Sequence, residues 1–222
     1  MGRLAQTLGL SGITLVSPTN EIQIHVARVR DALHRCSCSL EPFDTEIQRV
    51  LSLKAQGDYA FIIDSYYLFE DTERAKAYVR ENGLSKPGDR SEIGLAYLKF
   101  YGVMNACYMQ HEATLVCARK LGVEVDRDSL SGSSLIVYRN DFAAHSPNRG
   151  RGADSHSFIL DRFGLTEGRV AGYSSNSPEG IKFRDAPIQQ LLADWDSVLL
   201  PALSVVSNSI VSRVRAAGVR EA

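Results

Sequence analysis

An arginine and an asparagine stand six and five positions ahead of a histidine in the stretch Leu135-Ile136-Val137-Tyr138-Arg139-Asn140-Asp141-Phe142-Ala143-Ala144-His145-Ser146. No other part of the sequence makes so sharp a chemical statement. An imidazole that titrates near neutrality can both take and give a proton. A guanidinium can hold a phosphate with a planar fork of donors. Leu135, Ile136, Phe142 and Ala143 fall near helical spacing, so the stretch reads as the last turns of a helix. Ser146 and Pro147 stop it, because proline cannot continue a helix and biases its predecessor away from helical geometry. His145 then sits near a helix C-terminus, where the dipole favours its protonated form by about 0.3–1 kcal/mol.

Geometry restricts how these groups meet. On an ideal α-helix, residues six apart are about 120° out of phase. Either Arg139 reaches round, or the helix loosens near His145, or a second subunit supplies the partner. The same residues also suit a plain helix end: Arg139 solvated, Asn140 a terminal polar group, His145 a C-terminal cap.

Arg139-Asn140, then Asp141 to Ala144, then His145 resembles the signature of the HEPN superfamily: arginine, a polar residue that is often asparagine, about four more residues, then histidine. The resemblance extends over about residues 45–217, and only the motif is sharp. It implies an all-α bundle and a metal-independent RNA-cleaving site, commonly completed across a homodimer and needing no cofactor. In that role His145 is the general acid/base, Arg139 stabilises phosphate charge, and Asn140 orients the phosphate or the arginine. HEPN domains also serve as non-catalytic binding or dimerisation modules, so an RNA-binding or dimerisation module is the alternative expectation. The family's toxin, defence and stress settings imply an antitoxin or regulatory protein as a further partner.

Other residues cluster around this motif in sequence. Asn148-Arg149-Gly150-Arg151-Gly152 makes a basic glycine-bearing loop just past His145. Arg149 and Arg151 suit an RNA backbone; a plain surface loop fits them as well. His111 and Glu112 lie mid-helix, where polar residues need partners, and Glu112 is a candidate to pair with Arg139 across the bundle. Tyr59, Phe61, Tyr66, Tyr67, Phe69 and Tyr78 could stack bases, but most of these rings should fill a core. His34-x-Cys36-x-Cys38 lacks a second half with zinc-site spacing, so no metal site is expected. The four cysteines do not form a disulfide framework and read as reduced, partly buried thiols.

The elements that must position the motif follow from punctuation and periodicity. The chain reads as a single HEPN-like domain over 1–222, with an N-terminal arm and helix over 1–43 and a bundle core over 44–217. Asn20 opens a helix to about His34, Asp44 caps a second, and a third runs from about Tyr59 to Asn82, stopped at Gly83. The longest helix is expected over about Ser91 to Gly122, with Leu95, Leu98, Gly102, Asn105, Met109, Leu115 and Val116 as its buried stripe. Gly94, Gly102 and Ala106 would let a neighbouring helix approach. Ser129 or Ser131 starts the motif helix. Ser157–Leu160 and Arg169–Tyr173 read as a small hairpin or irregular lobe inserted near 155–184. Pro187 opens a final helix to about Ala217, with Trp195 and Leu199 in its apolar stripe and Arg213 and Arg215 at its end.

A formal net charge of −1 gives no global sign of a strongly basic nucleic-acid binder, though a local patch would suffice. The N-terminus lacks a signal peptide's apolar run, and no window is expected to reach the apolar length of a membrane span. A cytoplasmic protein is the default. Phosphate-binding GxxxxGK[ST], dinucleotide GxGxxG, HExxH and GxSxG patterns are absent from the sequence. Nucleotide-driven, hydride-transfer and zinc-hydrolase chemistry therefore has nothing specific behind it.

Overall fold

The computed structural model describes residues 18–86, 88–144, 157–174, 176 and 180–219. Helices α1 (Pro18–Ser39), α3 (Asp58–Asn82), α4 (Ile93–Leu121) and α8 (Ile188–Ala216) are the long ones. Each packs on two others, α1 on α8 and α3, α4 on α3 and α8, which closes a four-helix bundle. Short helices join them: α2 (Phe43–Val50), α5 (Arg127–Gly132) and α6 (Ser134–Tyr138). A small lobe follows, made of β1 (Ile159–Leu160), α7 (Arg162–Thr166), β2 (Arg169–Ser174) and β3 (Lys182–Pro187). The described chain is thus mostly helical with a three-stranded antiparallel sheet, in the order β1-β2-β3.

Local chemistry explains most boundaries. Gly83 and Gly122 end α3 and α4 with φ of 63° and 65°, a conformation that costs glycine least. Asp126 caps α5 and Asp161 caps α7, each carboxylate accepting a backbone N–H. Asp44 is not the cap of α2: Pro42 holds that position without a side-chain bond, and Asp44 lies in the first turn, where its charge suits the dipole. The motif helix begins at Ser134, later than Ser129 or Ser131, because Asp126 starts a separate helix there. Arg213 does more than suit its own helix end. Its guanidinium donates to the Leu51 carbonyl beyond α2 and, at 2.8 Å, to the Leu121 carbonyl that ends α4.

Two expectations about burial are corrected. The buried side of α4 is Ala96, Phe100, Val103, Cys107, Gln110, Thr114 and Cys117, while Leu95 and Leu98 are 42% and 72% exposed. Gly102 and Asn105 are exposed too, and a side chain added at Gly94 or Gly102 would meet open space. Helix α4 is apolar or small on nearly every side, so periodicity could not choose the face. Of the aromatic run, Tyr66 and Phe69 fill the core, whereas Phe61, Tyr67 and Tyr78 are exposed. Phe61 and Tyr78 instead carry Lys120 and Lys99 over their rings, at 4.5 and 5.3 Å.

Helix α8 is long and apolar enough to cross a membrane by length and composition, contrary to the expectation that no window is. Its apolar stripe, Leu191, Leu192, Trp195, Leu199, Leu203, Val206, Ile210 and Val214, is buried in the bundle. Pro201 lies inside this helix.

The core also encloses charge. Lys76 is fully buried, and its Nζ lies 2.5 Å from Glu73 Oε1, 2.6 Å from Asp196 Oδ1 and 3.1 Å from Gln110 Oε1. The Gln110 amide donates to Thr72 Oγ1 and Glu73 Oε1 at 3.0 and 2.7 Å, and Trp195 Nε1 donates to Gln110 Oε1 at 2.8 Å. Arg80 adds an ion pair with Asp196. This network joins α3, α4 and α8.

All four cysteines are free thiols, with Cys36, Cys107 and Cys117 buried and Cys38 exposed. Burial pushes Cys107 up to about 12 and Cys117 up to about 11. Their stabilising contribution is complete below the unfolded thiol range, about 8.5, and is lost as pH rises toward the folded values. Urea midpoints should therefore fall steadily from about pH 8 to about pH 10. Ellman's reagent should label one thiol quickly in the native protein and the remainder only on unfolding. Rapid native labelling of Cys107 would contradict the buried placement.

Candidate functional site

The motif does not end as an α-helix. Helix α6 passes into a π-helical turn over Arg139–Ala144. Of the three ways of reconciling Arg139 with His145, loosening of the helix is present over Arg139–Ala144. A π-helix bonds residues five apart, and such turns recur at functional sites. The five-residue step from Asn140 to His145 equals that bonding step.

Buried residues hold the turn in place. Leu135, Ile136 and Phe142 enter the core. Asp141 is only 2% exposed, and its carboxylate accepts from Arg184 Nε at 3.0 Å. Arg184 belongs to β3. The next residue, Asp185, donates its backbone N–H to Tyr138 Oη at 3.0 Å. Phe142 packs edge-on to Phe158, with centroids 5.5 Å apart. The inserted lobe therefore clamps the motif. Its strands pair as a hairpin in which Ile159 opposes Tyr173, and β3 adds a third strand that sequence reading did not foresee.

The clamp depends on Gly172. A Cβ there would lie 2.2 Å from the Ile159 carbonyl oxygen and 2.5 Å from Phe142 Cε1, both inside contact distance. Gly172→Ala should cost about 1–3 kcal/mol by overpacking. Denaturant unfolding would measure this, and an unchanged midpoint would refute the close approach.

Arg139 and Asn140 come together. Arg139 Nη1 donates to Asn140 Oδ1 at 3.1 Å. The guanidinium carbon lies 3.8 Å from the centroid of Tyr108 on α4. Stacking and the amide tether fix the plane of the arginine, and it forms no ion pair among the described residues. Tyr108 stacks in turn on His111, with centroids 5.7 Å apart and planes at 16°. His111 Nδ1 is 2.9 Å from Glu112 Oε1, and Nε2 is 3.1 Å from Ser131 Oγ. A carboxylate only accepts, so Nδ1 carries a proton and donates it to Glu112.

Glu112 therefore turns to its neighbour His111, and the expected Glu112–Arg139 pair is not formed. Glu112 supports the arginine only indirectly, by holding the imidazole under Tyr108. His145, Arg149 and Arg151 lie outside the described residues. Tyr108 and Arg184 are the residues that sequence reading missed. Nothing in their spacing announces them, since both meet the motif from distant elements. Cavities of about 280 Å³ beside Val26 and Ala77, and of about 650 Å³ beside Val198 and Pro201, share no residue with this cluster.

Chemically, the arrangement offers a planar cation with a fixed orientation and, among the described residues, no carboxylate paired with it. That is a ready seat for a phosphate or another planar anion. Comparison of the chain with protein-family models, curated proteins and solved structures finds no match.

Proposed function

We propose that this protein is a metal-independent RNA endonuclease of the HEPN type, with Arg139, Asn140 and His145 as its working residues. The observation that carries the reading is the Arg139 guanidinium, laid on Tyr108, tethered to Asn140 and without an ion pair among the described residues, at a π-helical turn. His145 takes the proton of a ribose 2′-hydroxyl as that oxygen attacks the adjacent phosphorus. The bond from phosphorus to the 5′ oxygen breaks, and that oxygen takes up a proton. Arg139 stabilises the charge that builds on the phosphate oxygens. Asn140 holds the arginine in plane. Arg149 and Arg151 are proposed to contact the RNA backbone.

The protein is further proposed to act in the cytoplasm as a homodimer. The exposed α4 face of Leu95, Leu98, Gly102 and Asn105 supports a partner there, because Leu95 and Leu98 are large apolar side chains in solvent and a side chain added at Gly102 would meet open space. Leu98→Glu should shift the mass measured by light scattering from dimer to monomer. The same face favours the second reading, a non-catalytic dimerisation or RNA-binding module.

The deciding experiment is RNA cleavage in excess EDTA by wild type and His145→Ala. Products ending in 2′,3′-cyclic phosphate, lost in the variant, are expected. Folded wild type that binds RNA without cutting any of a varied set would move the assignment to the module.

A further inference from the structure

We propose that Tyr97, Tyr101 and Phe163, flanked by Arg90 and Arg162, form a stacking platform that feeds single-stranded RNA to Arg139. This rests on the RNA reading above and adds a binding surface to it. Tyr97 and Tyr101 are one turn apart on α4, with ring centroids 6.0 Å apart and planes at 24°. Tyr101 is 42% exposed and Phe163, from α7, is 43% exposed. The Arg90 and Arg162 guanidinium carbons stand 4.7 and 5.5 Å from the Phe163 centroid.

Neither arginine forms an ion pair among the described residues. Two neighbouring carboxylates accept backbone N–H groups instead of pairing with these arginines. Asp161 Oδ1 accepts the Phe163 N–H at 2.9 Å, and Asp89 Oδ1 accepts the Ser91 N–H at 2.9 Å. An exposed ring between two guanidinium groups that form no ion pair among the described residues is poorly matched to a structural task. Phe163 and Tyr101 are not part of the hydrophobic core. Rings with adjacent arginines are what an unpaired base and its phosphate recognise. A duplex hides its base faces, so the platform selects single strands.

Helical phase ties this surface to the candidate site. Tyr97, Tyr101 and Tyr108 lie within about 40° of one another around α4. From Tyr97 to Tyr108 the axis advances about 16 Å, a distance that a few nucleotides of extended strand can cover. Arg139 sits on the last of these three rings. Met104, at the same phase between Tyr101 and Tyr108, is fully buried, so a strand stacked at Tyr97, Tyr101 and Phe163 would reach the phosphate seat by passing around it rather than straight along α4.

The test measures binding of a fluorescein-labelled single-stranded oligouridylate in EDTA by anisotropy, alongside cleavage kinetics of an unlabelled mixed-sequence strand. Phe163→Ala and Tyr101→Ala should each weaken binding by about tenfold. Both should raise KM and leave kcat unchanged, and Phe163→Trp should restore affinity. Arg90→Gln and Arg162→Gln should each reduce the slope of log affinity against log salt by about 0.7. Arg139→Ala should instead lower kcat.

Unchanged affinity in the platform variants, with cleavage still lost in Arg139→Ala, would overturn the platform and leave the nuclease. Platform-dependent binding without cleavage by wild type would support the platform and overturn the nuclease. Equal affinity for duplex and single strand, or no binding at all, would overturn the platform.

Discussion

Arg139→Lys is expected to slow RNA cleavage by about 10²–10³-fold while leaving the protein folded. Lysine keeps the charge, so a site that needed only a positive point would tolerate it. The geometry around Arg139 needs more. Its guanidinium carbon lies 3.8 Å from the Tyr108 centroid, and Nη1 donates to Asn140 at 3.1 Å. An ammonium has neither a flat face to stack nor a second nitrogen to bond phosphate while the first is tethered. Tyr108→Leu and Asn140→Ala remove the two restraints singly and should cost less, about tenfold each, because the guanidinium itself remains. Stability should move little, since a half-buried cation–π contact is worth about 1 kcal/mol. Single-turnover rates in EDTA, with unfolding midpoints measured on the same samples, would decide. Wild-type rates in Arg139→Lys would remove the arginine from the mechanism.

Lys76→Met should destabilise the bundle by about 3–5 kcal/mol, a large share of a typical domain's stability. The loss comes from what is left behind. Glu73 and Asp196 both lie against the Lys76 ammonium, and both are buried. Without it, Asp196 retains Arg80 and Glu73 retains only the Gln110 amide. Adding Glu73→Gln to the methionine variant should recover part of the loss, because one buried charge is then removed. The two substitutions are in contact, so their effects should not add. Guanidinium melts of both single variants and the double variant would measure the coupling. Strict additivity would show that Lys76 and Glu73 do not act as a pair.

The network has a further consequence for the site. Gln110 is held by Lys76, Glu73, Thr72 and Trp195, and it lies one turn or less from Tyr108 and His111 on α4. The buried side of α4 is thus pinned by polar bonds of fixed direction, which also sets where Tyr108 presents its ring. Variants of this network should disturb cleavage as well as stability.

Local chemistry in the sequence determined where the long helices start and stop. Gly83 and Gly122 stop helices because their φ is positive, and Pro187 precedes α8 where a helix must begin. Arg139 and Asn140 were identifiable because adjacency in sequence keeps them adjacent in space. The tertiary structure decided three other things. It chose the buried face of α4, which is apolar or small nearly all round, so only the neighbours α3 and α8 could select it. It widened the motif into a π-helical turn, where Asp141 and Phe142 are gripped by a sheet whose residues come later in the chain. And it set Tyr108 beneath Arg139, a contact across 31 positions. Periodicity is a property of one segment, whereas register and pairing arise only when two segments meet.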